Sequence, residues 1–160
     1  MGIEIDPRVV AVARKAAREC ICSSLRRATR AVTRLYDEAL KPTGLKITQF
    51  NLLSSLMAMG SSTLSDLAAD MQVDRTTLTR NLEILEGQGL VATAEGLDRR
   101  ERQLTLSEKG LAALKAAYPL WQAAQTRAVE WAGRTNWNAA APTLRRLAAA
   151  SEDGGPSDID

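Results

Sequence analysis

Histidine is absent from the 160 residues. That removes the commonest general base, the commonest zinc ligand and the usual orienting member of a catalytic triad. Cysteine occurs only as Cys20 and Cys22, too few for a disulfide framework. Aromatic side chains are few. No apolar run approaches the ~20 residues that span a bilayer, and the N-terminus lacks the apolar core of a secretion signal. A cytoplasmic protein is the expectation. The ten glycines are scattered, so there is no Gly-rich phosphate loop. Acidic pairs such as Asp37/Glu38 fall among helix-surface charges. An enzyme reading has no nucleophile or metal site to rest on, and no cofactor, metal or membrane partner is expected.

What is present begins with charge. The formal net charge is only +2, but its distribution is uneven. The last ten residues, SEDGGPSDID, carry Glu152, Asp153, Asp158 and Asp160 and no base. Without them the body holds 21 basic against 15 acidic residues, a net +6. Such a surplus suits a polyanionic partner. The tail itself is polar, acidic and Gly/Pro-containing, the composition of a disordered segment. A chain of this length is most simply one folding unit with a real core.

Periodicity organises the rest. Residues 7–40 read as one long helix whose apolar stripe is Ile21, Leu25, Ala28, Val32, Leu35 and Ala39. Lys41-Pro-Thr-Gly44 stops it. A second helix is expected from about Thr48 to Met59, with Phe50, Leu53, Leu56 and Met57 inward. Gly60-Ser-Ser-Thr63 breaks the chain before a short helix over Ser65 to Met71. A fourth helix runs from Arg75 to about Gln88, with Asp74 as N-cap and Gly89 as terminator. Val91–Ala94 and Arg102–Leu106 read as strands of a hairpin whose turn lies in Glu95–Arg100. Ser107 caps a long helix that contains Pro119, where a kink or an irregular stretch is expected. A last helix is expected over about Asn138 to Ala150, since Pro142 is tolerable only in a first turn.

Leu78, Leu82 and Leu85 share one face of the fourth helix. Arg75, Thr76, Thr77, Thr79 and Arg80 fan out on the other face and at the amino end. A helix laid out this way fits a major groove with its first turns against base edges. Arginine grips guanine through two acceptors, and threonine hydrogen-bonds or meets a thymine methyl. In the hairpin, Arg99, Arg100 and Arg102 cluster at the turn. An arginine there reaches a minor groove, where the potential is most negative, and Asp98 is placed to hold Arg100 extended.

The motifs ITQFNLL, LSDLAADMQVDRTTLTRNLEILEGQGLV and DRRERQLTLSEKG together resemble the winged helix-turn-helix of the MarR family of bacterial transcription regulators. The resemblance covers Leu45 to Gly110. It includes the D-x-R wing pattern as Asp98-Arg99-Arg100, the strand LTL and a Ser-x-x-Gly helix start. Gln72 departs from it, standing where the family often has glycine. If that position needs positive φ, glutamine costs ~1 kcal/mol. Lys46 likewise replaces a common hydroxyl cap, and Thr48 is the expected substitute.

The resemblance implies a mainly α fold with a small β-hairpin wing, flanked by dimerisation helices. The expected division is an N-terminal dimerisation helix over 1–44, the winged helix-turn-helix over 45–110, C-terminal dimerisation helices over 111–150 and the acidic tail over 151–160. It implies a homodimer on a pseudo-palindromic DNA operator, most often as a repressor, released by a small-molecule effector or a thiol signal. Arg75, Thr76, Thr77, Thr79 and Arg80 then face the major groove, and Asp98, Arg99 and Arg100 the minor groove. The alternative is a winged helix that docks protein without touching DNA.

Two signal sites are candidates. Cys20 and Cys22 diverge by roughly 200° around an intact helix, which disfavours a bond between them. The candidate chemistry is oxidant or soft-metal sensing by thiolates that nearby arginines favour, with cysteines of two subunits meeting at a dimer interface. The alternative is two small, semi-buried helix residues. Tyr36, Phe50, Tyr118 and Trp121, with Trp131, are candidate walls for an aromatic or apolar effector.

Overall fold

The computed structural model describes residues 6–95 and 102–150. Helix α1 spans Pro7–Glu19 and α2 spans Ile21–Leu40, followed by a single 3-10 turn at Lys41–Thr43. Next come α3 (Ile47–Met59), strand β1 (Ser61–Thr63), α4 (Leu64–Met71) and α5 (Arg75–Gly87). Strands β2 (Val91–Glu95) and β3 (Arg102–Leu106) precede α6 (Glu108–Ala132) and α7 (Arg134–Ala149). The sheet is antiparallel in the order β1-β3-β2. Ser62 pairs with Leu104 on one side of β3, and Thr93 pairs with Leu104 on the other.

The main core sits between α3, α4, α5, the sheet and α6. Leu52, Leu53, Leu56, Leu67, Leu78 and Leu85 are almost wholly buried in it. A smaller cluster joins Leu35 and Tyr36 of α2 to Ala124 of α6. Burying one leucine is worth about 1.5–3 kcal/mol, so these leucines fix how α4 and α5 are presented.

Several boundaries differ from the sequence expectations. Residues 7–40 are not one helix. Cys20 adopts φ −65°, ψ 111°, an extended conformation that ends α1 and begins α2. Neither proline nor glycine causes the break. Cys20 N–H still closes α1 on the Ala16 carbonyl, and its own carbonyl accepts from Ser24 of α2. The stripe on α2 is buried only towards its C-terminal end. Leu35 is inside, while Ile21, Leu25 and Val32 are exposed.

Ser61–Thr63, expected only as a helix break, forms β1. Three residues show no periodicity, and their strand character comes from the free edge of β3. Met57, expected inward, is 53% exposed. Helix α3 begins at Ile47, and Thr48 does not cap it. The caps come from elsewhere: Asp37 Oδ1 on α2 accepts from the Ile47 N–H at 2.8 Å, and Gln49 Oε1 accepts from the Lys46 N–H at 2.9 Å.

At the carboxyl end, α7 starts at Arg134 rather than Asn138. Gly133, at φ 76°, both ends α6 and opens α7 without a side-chain cap. Pro142 therefore lies inside α7, where its ring nitrogen cannot donate to the Asn138 carbonyl. Helix α6 runs through Pro119 with no irregular stretch. The α4–α5 turn confirms the positive φ anticipated at Gln72, which sits at φ 52°, ψ 46°. No helix among the described residues is long and apolar enough to cross a membrane.

Candidate nucleic-acid interface

The helix pair α4–α5 is built by local capping. Thr63 caps α4 by accepting from the Asp66 N–H at 3.2 Å, and its hydroxyl donates to Asp66 Oδ2 at 2.8 Å. Asp74 caps α5: Oδ1 accepts from the Thr77 N–H at 2.8 Å, and Oδ2 accepts from the Thr77 hydroxyl at 2.6 Å. The Thr77 hydroxyl, then its N–H, holds the Asp74 carboxyl below its usual value. A carboxylate here also faces the positive end of the helix dipole.

Leu78, Leu82 and Leu85 are buried, which sets the outward direction of α5. At about 100° per residue, Thr76 and Arg80 point most directly away from those leucines. Arg75 and Thr79 lie on one flank, and Thr77 on the other. Arg75, Thr76, Thr77 and Arg80 are exposed and Thr79 is half-buried. The five residues singled out in the sequence therefore occupy one outward surface. A cavity of about 250 Å³ separates the Arg75/Thr79 flank from β3, and Arg102 lines its far side. Asp98, Arg99 and Arg100 lie outside the described residues.

The carboxyl end of α5 is held by the start of α6. Lys109 Nζ donates to the Gln88 carbonyl at 2.7 Å, and the Ser107 hydroxyl donates to the Gly89 carbonyl at 2.7 Å. Ser107 N–H reaches the Leu90 carbonyl at 3.1 Å. Ser107 Oγ also accepts from the Gly110 N–H at 2.9 Å. Gly110 has a steric reason as well: a Cβ there would lie 2.0 Å from the Leu90 oxygen. Ser-x-x-Gly is thus a docking device between α6 and the end of α5.

Away from this face, Phe50, Tyr118 and Trp121 come together. Phe50 and Trp121 stack at 5.7 Å, and Tyr118 lies 5.8 Å from Trp121. They wall a cavity of about 400 Å³ with Met57 and Leu114. Tyr36 is not among them. It is buried beside Leu35 and Ala124, its hydroxyl donates to Gln125 Oε1, and burial raises its pKa. Trp131 is exposed beneath the Arg127 guanidinium.

Cys20 and Cys22 are both exposed. Because α1 and α2 break at Cys20, the intact-helix angle does not describe their relation. Hydrogen bonding from the Ser23 backbone N–H, then from its side chain, lowers the Cys20 thiol pKa. The sequence reading missed Asp37, which it took for a surface charge, and Lys109. Both act on backbone groups of another element, so neither leaves a periodic signal.

The comparisons agree with this geometry. Residues 45–101 match the model of the MarR family. The M. tuberculosis transcriptional regulator MosR, solved in complex with DNA, is 41% identical, with a TM-score of 0.77 over 84% of this chain and 98% of that one. The transcriptional repressor CouR, bound to a 23-mer DNA duplex, is 29% identical, with a TM-score of 0.76 over 83% of this chain and 95% of that one. The uncharacterized HTH-type transcriptional regulator YwoH of Bacillus subtilis is 28% identical over 85 residues. That match spans 53% of this chain and 62% of the relative, less than two thirds of its length. With this likeness to MosR running over 84% of its length and the family match over its helix pair, the chain belongs to the MarR family of transcriptional regulators.

Proposed function

We propose that this chain is a sequence-specific DNA-binding transcriptional regulator that acts in the cytoplasm as a homodimer, most simply as a repressor. The observation that carries the reading is the outward tip of α5: three buried leucines anchor the helix and leave Arg75, Thr76, Thr77 and Arg80 exposed. Arg80 and Arg75 supply bidentate donors for guanine in the major groove. Arg100, with Arg99 and held by Asp98, enters the minor groove. The DNA-bound relatives support this assignment, and nothing in it calls for catalysis.

The exposed apolar residues Ile21, Leu25 and Val32 of α2, with Trp137 and Leu147 of α7, support a second copy as their cover. These helices flank the winged unit, as the 1–44 and 111–150 segments of the proposed division require. Twofold symmetry then sets two α5 tips one helical turn apart. The Phe50/Tyr118/Trp121 cavity is the proposed effector site, for an aromatic or apolar ligand. A thiol signal at Cys20 and Cys22 is the second proposed release route, supported by the exposure of both and the lowered Cys20 pKa.

The test is selection of bound duplexes from a random pool, followed by affinity measurements against salt. Each neutralised phosphate contributes about −0.9 to the slope of log K on log salt. Arg80→Ala is expected to lose about 1–3 kcal/mol and to relax preference at one base pair. Equal weakening on every sequence removes Arg80 from base reading. No salt-dependent binding to any duplex removes the regulator reading altogether and favours a protein-docking role. A Cys20→Ser/Cys22→Ser double variant that is still released by peroxide like the wild type removes the thiol route.

A further inference from the structure

Two of the three threonines at the tip of α5 have already spent their hydroxyl hydrogens. Thr77 donates to Asp74 Oδ2 at 2.6 Å. Thr79 donates to the Arg75 carbonyl at 2.7 Å. A threonine hydroxyl carries a single hydrogen, so neither has one left for a base. Nor is either bond idle. The first is charge-assisted and belongs to the N-cap that starts the helix. The second is the back-bond of a helical threonine onto the carbonyl four residues earlier, which holds the hydroxyl hydrogen against the helix. What Thr77 and Thr79 still present is a γ-methyl group and oxygen lone pairs.

The donors at the tip are elsewhere. Among the described residues, none pairs with the side chains of Arg75, Thr76 or Arg80. Thr76 and Arg80 point outward, and Thr77 and Thr79 sit roughly 80° to either side. The tip therefore has a donor ridge flanked by two methyl-bearing, non-donating edges.

Resting on the DNA-binding reading proposed above, we infer that Thr77 and Thr79 are specificity determinants that select thymine through its 5-methyl group. Purine acceptors are left to Arg80, Arg75 and Thr76. The reason is subtractive. Thymine offers O4, an acceptor, and a methyl group in the major groove. Side chains without a free hydrogen cannot pair with O4, but their methyl groups can pack against the 5-methyl. The remaining lone pairs could accept from adenine N6 or cytosine N4, which is the outcome the valine and serine variants separate from methyl reading.

The experiment uses the full wild-type chain and a duplex selected by it from a random pool. Each thymine is replaced singly by uracil, which removes only the 5-methyl group, and affinity is read by fluorescence anisotropy. One thymine facing each threonine is expected to lose about 4-fold on replacement, the worth of one buried methyl. Thr77→Val and Thr79→Val keep the methyl and are expected to keep the uracil response at their own positions, with a lower overall affinity for Thr77→Val, which loses a hydroxyl that belongs to the α5 cap. Thr77→Ser and Thr79→Ser keep the hydroxyl and lose that response at their own positions. Uracil replacements without effect on the wild type overturn the inference, and that arm uses no protein variant. So does loss of discrimination in the valine variants with retention in the serine variants, which makes the hydroxyl the reader. A wild-type chain that binds every duplex alike refutes the DNA-reading proposal itself, a result distinct from both.

Discussion

Glycine-to-alanine substitutions at two helical positions are expected to change stability in opposite directions. Alanine is ordinarily favoured over glycine inside a helix by about 0.5–1 kcal/mol, because glycine loses more backbone entropy on folding. Gly87 is the last residue of α5, is exposed, and has nothing within 4 Å of where a Cβ would stand. Gly87→Ala is therefore expected to stabilise the fold by about 0.4–1 kcal/mol. Gly110 also lies in a helix, but its Cβ would stand 2.0 Å from the Leu90 oxygen and 2.8 Å from Leu106 Cδ1.

The Leu90 oxygen cannot swing aside cheaply, because it accepts from the Ser107 N–H and its residue is buried. The first turn of α6 has to back away from the end of α5. Overpacking of this kind costs about 1–3 kcal/mol, occasionally more, and the helix-propensity gain offsets only part of it. The retreat also strains the Lys109 and Ser107 bonds to Gln88 and Gly89. Gly110→Ala is expected to be less stable in urea denaturation, with an unchanged m-value, and to bind operator more weakly. Equal stabilisation by both substitutions refutes the steric account of the Ser-x-x-Gly motif.

Further outcomes follow from capping. Asp37→Ala removes the acceptor for the Ile47 N–H and is expected to cost about 1 kcal/mol by denaturant melting. Asp37→Asn keeps an acceptor oxygen and is expected to recover most of it. The Lys46 Nζ contact at 3.6 Å adds little, since that side chain is 66% exposed. An asparagine variant as unstable as the alanine variant assigns the effect to charge instead. Asp74 has a folded pKa below its ordinary value. Its stabilising contribution is therefore complete above the unfolded carboxyl pKa and is lost as pH falls through the lowered one. Melting temperatures of wild type and Asp74→Asn are expected to converge as the solution is acidified below that ordinary value. A constant gap down to the lowest pH removes Asp74 as an ionised cap.

Most of the winged unit was legible because its helices have one buried face and one wet one. The spacing of Leu78, Leu82 and Leu85 placed α5 and its outward residues, and Asp74 and Ser107 marked two helix starts. Illegibility has equally physical causes. The break at Cys20 involves no residue type that forbids a helix, and α1 buries nothing that periodicity can report. Strand β1 is three residues long and owes its existence to β3. Gly133 opens α7 by positive φ and Pro142 stands inside the helix, whereas confining Pro142 to a first turn put the expected start at Asn138. Asp37 looked like one more surface carboxylate because the donor it accepts from, the Ile47 N–H, belongs to a different helix.

Adjacent residues on α2 hold the two walls of the aromatic cavity. Tyr36 bonds Gln125 of α6, and Asp37 bonds the first N–H of α3. Phe50 of α3 and Trp121 of α6 stack between those ties. Helix α6 then continues from Tyr118 back to Lys109, about two and a half turns or ~13 Å. There it grips the last carbonyls after α5. If the proposed effector site is used, a ligand that parts Phe50 from Trp121 by moving their helices would shift α6 or break the Tyr36 or Asp37 tie. Shifting a packed helix as a unit costs less than unwinding it, because its own hydrogen bonds survive. Such a shift would reach Gln88 and Gly89 through the Lys109 and Ser107 bonds, at the end of the helix whose opposite tip carries Arg75 and Arg80. Displacing one end of a 13-residue rod re-aims the other, and base-edge hydrogen bonds weaken steeply with distance and angle.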